Sequence, residues 1–167
     1  MFDYAHPEVI VDTQWLAEHL DNSNICLIEG DINSQAYDTG HIPGAVFWNL
    51  LTAFLLPNYQ TNFDPVSLEE LLTRSGITND TTIITYGDIP AIGAWIFWFL
   101  KVFGHHDVRI LNGGRRKWIA ERRPLTAQQP VVKPSQYRLQ NLDISLRASH
   151  EYVRESIRRT DRILVDV

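Results

Sequence analysis

Apolar residues recur along this chain at two spacings. Ile25-Cys26-Leu27-Ile28 is a short unbroken apolar run, as expected of a strand covered on both faces. Thr82-Ile83-Ile84-Thr85-Tyr86 is β-branched up to its aromatic end and predicts a second strand. Val46-Phe47-Trp48 and Val108-Arg109-Ile110-Leu111 predict two more. Between them apolar residues fall three and four apart. Trp15, Leu16 and Leu20 predict a helix capped by Thr13 and running to about Leu20. Ser67-Leu68-Glu69-Glu70 has the spacing of a capping box, Leu68, Leu71 and Leu72 continue the stripe, and Gly76 stops it. A loop from Gly87 to Pro90 leads into a helix from about Ala91 to Phe103, ended by Gly104. Gly113-Gly114 opens a short helix carrying Trp118.

Strands separated by helices through short connections imply a mainly parallel sheet with helices on both faces, an α/β fold. Asn49 to Val66 reads as a long irregular segment, and Gln128 to Leu139, with Pro130 and Pro134, as a polar linker. The helix from Ala91 to Phe103 is apolar all round until Lys101. A helix of that kind must be covered all round, so part of it is expected to meet a further domain.

The tail resembles the head in an ungapped register. Trp15 falls on Tyr152, Leu16 on Val153 and Leu20 on Ile157. Cys26, Leu27 and Ile28 fall on Ile163, Leu164 and Val165, and Glu29 on Asp166. A helix followed by a buried strand therefore occurs twice, which suggests tandem domains. A strand from Ile163 to Val167 cannot lie alone in water without unpaired backbone or exposed apolar side chains. The expectation is a chain cut from a longer protein, early in its second domain.

With 167 residues the chain is long enough for one domain with a real core. Its 44% hydrophobic and 21% charged residues fit a globular rather than a disordered protein. The net charge of −5 favours neither nucleic acid nor an anionic membrane as partner. The single cysteine, Cys26, forbids an internal disulfide and suits a reducing cytoplasm. The start, Met1-Phe2-Asp3-Tyr4, lacks the basic and apolar regions of a signal peptide, and the most apolar stretch, Ala91 to Leu100, is too short to span a bilayer.

Residues Tyr37 to Ala45 read Tyr-Asp-Thr-Gly-His-Ile-Pro-Gly-Ala, with Trp48-Asn49 close behind, and Phe103 to Gly114 read Phe-Gly-His-His-Asp-Val-Arg-Ile-Leu-Asn-Gly-Gly. Together, in this order, these segments resemble the rhodanese (thiosulfate sulfurtransferase) family. The positions that carry the motif are Tyr37, Gly40, His41, Pro43, Gly44, Gly113 and Gly114. The resemblance implies a rhodanese-like three-layer α/β fold over residues 9–125, a linker at 126–144, and the first helix and strand of a second domain at 145–167. It also implies chemistry. A cysteine at the head of a tight loop, its thiolate held by inward backbone N–H groups and the positive end of a helix, accepts a sulfane sulfur from thiosulfate or a related donor and passes it to cyanide or another thiophile. No cofactor is implied.

At the corresponding place this chain reads Gly87-Asp88-Ile89-Pro90-Ala91-Ile92. Gly87 or Asp88 occupies the nucleophile's position, and no cysteine, serine or threonine stands in. A carboxylate there repels a thiosulfate anion, and Pro90 removes one N–H from the cradle. Tandem rhodaneses commonly lack the cysteine in the first domain and carry it in the second. The resemblance therefore implies a thiosulfate:cyanide type of sulfurtransferase to which this chain contributes the inactive first domain, with the missing second domain as its partner. The alternative is a catalytically silent module that binds a protein partner. A rhodanese-fold phosphatase also needs a loop cysteine and an arginine and fits less well.

Other candidates have plainer readings. Cys26 is either a reactive thiol or, between Ile25 and Leu27, a core residue, and the second is favoured. His41 is either an acid–base group or a residue that holds its loop by hydrogen bonds, again with the second favoured. His105 and His106 lack a ligand cluster, so no metal site is expected. The cluster Arg115-Arg116-Lys117 with Arg122-Arg123 attracts an anion or forms a solvated helix face, and the solvated face is favoured.

Overall fold

The computed structural model describes residues 5–140 and 142–165, and of Pro90 only the backbone. The first four residues, where a signal peptide would begin, and the end of the expected tail strand, Asp166 and Val167, lie outside the described residues. In chain order the elements are β1 (Ile10–Val11), α1 (Thr13–His19), β2 (Ile25–Asp31), α2 (Gln35–Thr39), β3 (Val46–Asn49), α3 (Leu50–Phe54), α4 (Pro65–Arg74), β4 (Thr82–Tyr86), α5 (Pro90–Val102), β5 (Val108–Leu111), α6 (Gly114–Ala120) and α7 (His150–Ser156). The strands form a five-stranded sheet in the order β1-β5-β4-β2-β3, and every pairing is parallel.

Successive residues of the central strands supply opposite faces, as the pleat requires. Ile28 and Ile83 join Trp48, Phe54, Leu72, Phe99 and Phe103 in one core, under α3, α4 and α5. Leu27 and Ile84 join Leu16, Tyr37, Ile42 and Trp118 in the other, under α1, α2 and α6. The expected three layers are therefore present. The β2–β4 register sets Glu29 beside Tyr86 at the carboxyl end of the sheet.

Two caps differ from expectation. Asp12, not Thr13, caps α1 by accepting from Trp15 N at 2.7 Å. Thr13 is turned inward, and its hydroxyl donates to Glu121 Oε2 at 2.6 Å. Asp64, not Ser67, caps α4, accepting from Ser67 N at 2.9 Å. Pro65 follows at the first helical position, where its missing N–H and set φ cost nothing. The stretch expected to be irregular, Asn49 to Val66, contains α3, capped by the Asn49 side chain. The two-residue β1 was too short to predict.

The polar linker is not free. Ser135 N donates to Thr73 O at 3.0 Å and Leu139 N to Glu69 Oε1 at 2.7 Å. Tyr137 is buried. Its hydroxyl lies 2.8 Å from His105 Nδ1, and His105 Nε2 lies 2.8 Å from Thr81 O. A carbonyl only accepts, so Nε2 carries the proton and Nδ1 accepts from the tyrosine.

The tail then docks on α5. Asp143 N donates to Val102 O at 2.8 Å, and the Trp98 indole donates to Leu146 O at 2.7 Å. Loop residue Phe63 and this segment cover part of the helix that looked apolar all round. The tail strand is absent as far as the structure describes it. Ile163 and Val165, at 90% and 76% exposure, have no neighbouring strand to pair with among the described residues. Among the described residues, no helix is long and apolar enough to cross a membrane.

The His105 clasp predicts a pH dependence. Burial pushes the His105 imidazole below its ordinary value of about 6.5, with Lys101 and His106 acting the same way and Thr81 O and Asp107 against. The unfolded chain then takes up the proton at higher pH than the folded one. This part of the stability is full above about pH 6.5 and is lost as pH falls toward the depressed folded value. Urea unfolding from about pH 8 to about pH 5 should show that loss in the native chain, and a smaller one in His105→Gln.

Candidate functional site

Parallel α/β sheets place their sites beyond the carboxyl ends of the strands, and here β4 runs into a tight loop before α5. Gly87 is pressed between neighbours. A Cβ on it would stand 2.5 Å from Gly30 O, so only glycine allows β2 and the loop to approach this closely. Gly114 packs on the same loop from the far side, where an added Cβ would meet Gly87 O at 3.2 Å. Its φ of +52° and that of Gly113, +76°, make the turn from β5 into α6. A cavity of about 160 Å³ lies between these glycines, lined also by Tyr86, Leu111 and Asn112.

Behind the loop lies a buried ionic network. The Glu29 carboxylate is wholly buried. It accepts from the Tyr86 hydroxyl at 2.5 Å and pairs with Arg115 Nη1 at 3.2 Å. Arg115 Nη2 donates to the carbonyls of Ala36, at 2.9 Å, and Gly40. Arg115 Nε faces Asp88 Oδ1 at 4.0 Å. One guanidinium thus reaches β2, the 36–40 segment and the β4–α5 loop. Burial pushes the Glu29 carboxyl up, while the Tyr86 hydroxyl and Arg115 pull it down. Tyr86 is itself raised well above the usual phenol value, by burial first and then by Glu29.

The motif residues surround this network. Tyr37 donates to Ala45 O at 2.7 Å. The His41 ring stacks on Tyr37 with centroids 3.7 Å apart, and its Nδ1 lies 2.9 Å from Tyr37 O. The backbone of His41 bridges to Thr126, and Ile42 N donates to the Tyr86 hydroxyl at 3.3 Å. Pro43 and Gly44 turn the chain into β3, with Gly44 at φ +83°. These contacts tie His41 to Tyr37 through its ring and to Thr126 through its backbone. Its Nε2 is buried without a hydrogen-bond partner among the described residues.

The basic cluster divides. Arg115, expected on a solvated helix face, is 5% exposed and belongs to the site. The first turn of α6 faces the sheet there, and the carboxylate of Glu29 makes its burial tolerable. Arg116 and Arg122 are exposed, while Lys117 and Arg123 pair with Glu121. The sequence marks Arg115 only as part of the basic cluster and Glu29 only as a residue of the repeat, neither as part of this site. The available signals were an acid directly after an apolar run and an arginine directly after Gly113-Gly114.

The loop itself holds no thiol and no hydroxyl. From Gly87 to Ile92 its one ionisable side chain is Asp88, at the mouth and partly exposed. Cys26 lies three residues before Glu29 on β2, roughly 10 Å down the strand at about 3.3 Å per residue. Its thiol is half-buried and faces Ser75 O at 4.0 Å. Burial pushes its pKa up to about 12, so at neutral pH it is a protonated thiol. Among the described residues, no group of His, Cys, Asp and Glu could hold a metal ion.

Comparison with known proteins agrees with this geometry. The family described as rhodanese-like domain matches over residues 12–121. The chain is 43% identical over 155 residues to the sulfur carrier protein TtuD of Thermus thermophilus, covering 92% of this chain and 54% of that protein. It is 38% identical over 136 residues to a thiosulfate sulfurtransferase of Corynebacterium glutamicum, covering 81% and 45%. It also superposes on SseA of Escherichia coli, described as having the rhodanese fold of 3-mercaptopyruvate sulfotransferases, with a TM-score of 0.70 and 25% identity over 79% of this chain and 56% of that one. The chain spans about half the length of the curated relatives it matches.

The buried pair can be tested by a double-mutant cycle. Glu29→Gln and Arg115→Met should each destabilise the fold by about 3–5 kcal/mol in urea unfolding, because each strands a buried partner. The double variant should lose clearly less than the sum of the two.

Proposed function

This chain belongs to the rhodanese-like family, and from that premise we propose that it is the non-catalytic first domain of a tandem sulfurtransferase of the thiosulfate:cyanide type. One observation carries the reading: the loop after β4, where the resemblance puts Gly87 or Asp88 at the nucleophile's position, contains no cysteine to supply the thiolate that sulfur transfer needs. Cys26 does not substitute, being protonated and away from the loop. The domain would brace a second, cysteine-bearing domain and line the cleft between them, where binding sites commonly form.

Three observations support a second domain. The relatives are about twice as long as the matched stretch. Residues 126–140 run as a strap along the first domain, and the chain that follows leads to α7, whose first turn is capped by Ser149 accepting from Tyr152 N at 3.1 Å. Beyond it Ile157, Ile163 and Val165 expose 68%, 90% and 76% of their surface. Apolar residues in that number call for a covering partner. On this reading thiosulfate or a related donor is handled by the second domain, and the single cysteine of this chain suits a reducing cytoplasm. The exposed apolar tail also suits the second reading, a silent module that docks on another protein.

The thiosulfate:cyanide assay separates the two. The 167-residue chain should show no turnover, whereas the same chain continued by the second half of the Thermus thermophilus relative should turn over. Cys26→Ser should leave the longer protein's rate unchanged. A persulfide formed at one equivalent on the 167-residue chain would overturn the proposal.

A further inference from the structure

A second cleft lies away from the Asp88 loop, where the tail crosses α5. It has a volume of about 520 Å³ and is lined by Tyr59, Gln60, Thr61, Phe63, Trp98 and Arg147. Trp98 is eight residues beyond Pro90 on α5, roughly 12 Å along the helix at about 1.5 Å per residue. The cleft is therefore separate from the loop, and its chemistry does not depend on it.

Its walls are built. The Arg147 guanidinium lies over the Phe63 ring, with Cζ 3.9 Å from the centroid. Phe63 and Trp98 meet at 89° with centroids 6.2 Å apart, so two aromatic walls form a corner. The Trp98 N–H is spent on Leu146 O, which holds the indole in place and leaves its ring as the exposed part. Tyr59, 78% exposed, sits beside the corner at φ +62°. A bulky side chain in the left-handed region is strained, and such strain gathers at ligand clamps.

Arg147 is also uncommitted. Among the described residues it makes no ion pair, whereas Arg159 is paired with Asp161 and Arg138 with Glu69. Stacking occupies one face of the guanidinium and leaves its N–H edge free for a planar, bidentate acceptor. Among the described residues it is the one cation lining the cleft, which suits a single negative charge better than a doubly charged phosphate. Gln60 and Thr61 add an amide and a hydroxyl to the wall.

We propose that this cleft binds a small carboxylate carried on a flat apolar body, with the carboxylate on Arg147 and the body in the corner of Phe63 and Trp98.

Titration of the 167-residue chain with benzoate, followed by the NMR signals of the Trp98 indole N–H and the Thr61 and Arg147 backbone amides, tests it. Benzoate should shift these signals saturably, and acetate and benzyl alcohol should each bind at least about tenfold more weakly. Arg147→Gln should weaken benzoate about tenfold, Arg147→Lys by less, and Arg154→Gln on α7 should have no effect. Equal binding by the native chain and Arg147→Gln would overturn the proposal. So would benzyl alcohol binding as well as benzoate, or shifts that do not saturate.

Discussion

A carboxylate buried inside a sheet is tolerable only when another group answers its charge, and in this protein that condition organises the site end of the fold. Glu29 is wholly buried at the carboxyl end of β2. An unpaired charge there would cost several kcal/mol or be neutralised by protonation. Arg115 and Tyr86 answer it, and each answer fixes an element. Tyr86 is the last residue of β4 and receives Ile42 N, so it ties the strand to the motif loop. Arg115 begins α6 and donates to Ala36 O and Gly40 O, so it ties that helix to α2. The positions of the strand ends, the motif loop and the β4–α5 turn follow from satisfying one acid.

That arrangement leaves a guanidinium beside a loop that holds no thiol. Arg115 Nε faces Asp88 Oδ1 at 4.0 Å, so the one carboxylate of the loop stands next to that charge. The scaffold around the loop is intact, including the glycine contacts that let Gly87 and Gly114 approach one another's backbones. Packing and ion pairing hold this end of the fold together.

The connection to the tail is tighter than its composition suggests. Between Ser135 and Leu146 the chain bonds in turn to α4, to His105 and to α5. Polar, proline-bearing sequence reads as a linker because it has no apolar period. Its order comes from discrete hydrogen bonds to carbonyls and side chains that other segments supply, and from one buried tyrosine. The same docking covers part of α5 and forms the second aromatic corner.

Sequence alone determined the layers and the main strands. Unbroken apolar runs such as Ile25 to Ile28 and β-branched runs such as Thr82 to Thr85 have few ways to be buried other than inside a parallel sheet. It also determined that the loop after Tyr86 lacks a thiol, because that is a matter of composition. The helix caps moved because Asp12 and Asp64 compete for the same orphan N–H groups as Thr13 and Ser67, and geometry chooses between them. Residues Ile163 to Val165 form no strand because a strand is a property of two chains side by side, and among the described residues Ile163 pairs with none. Only the tertiary structure decided that Arg115 points inward, that Glu29 is its partner and that Arg147 rests on Phe63. Each of these pairs joins residues far apart in the chain, and a charge is burdensome or stabilising according to what folding brings against it.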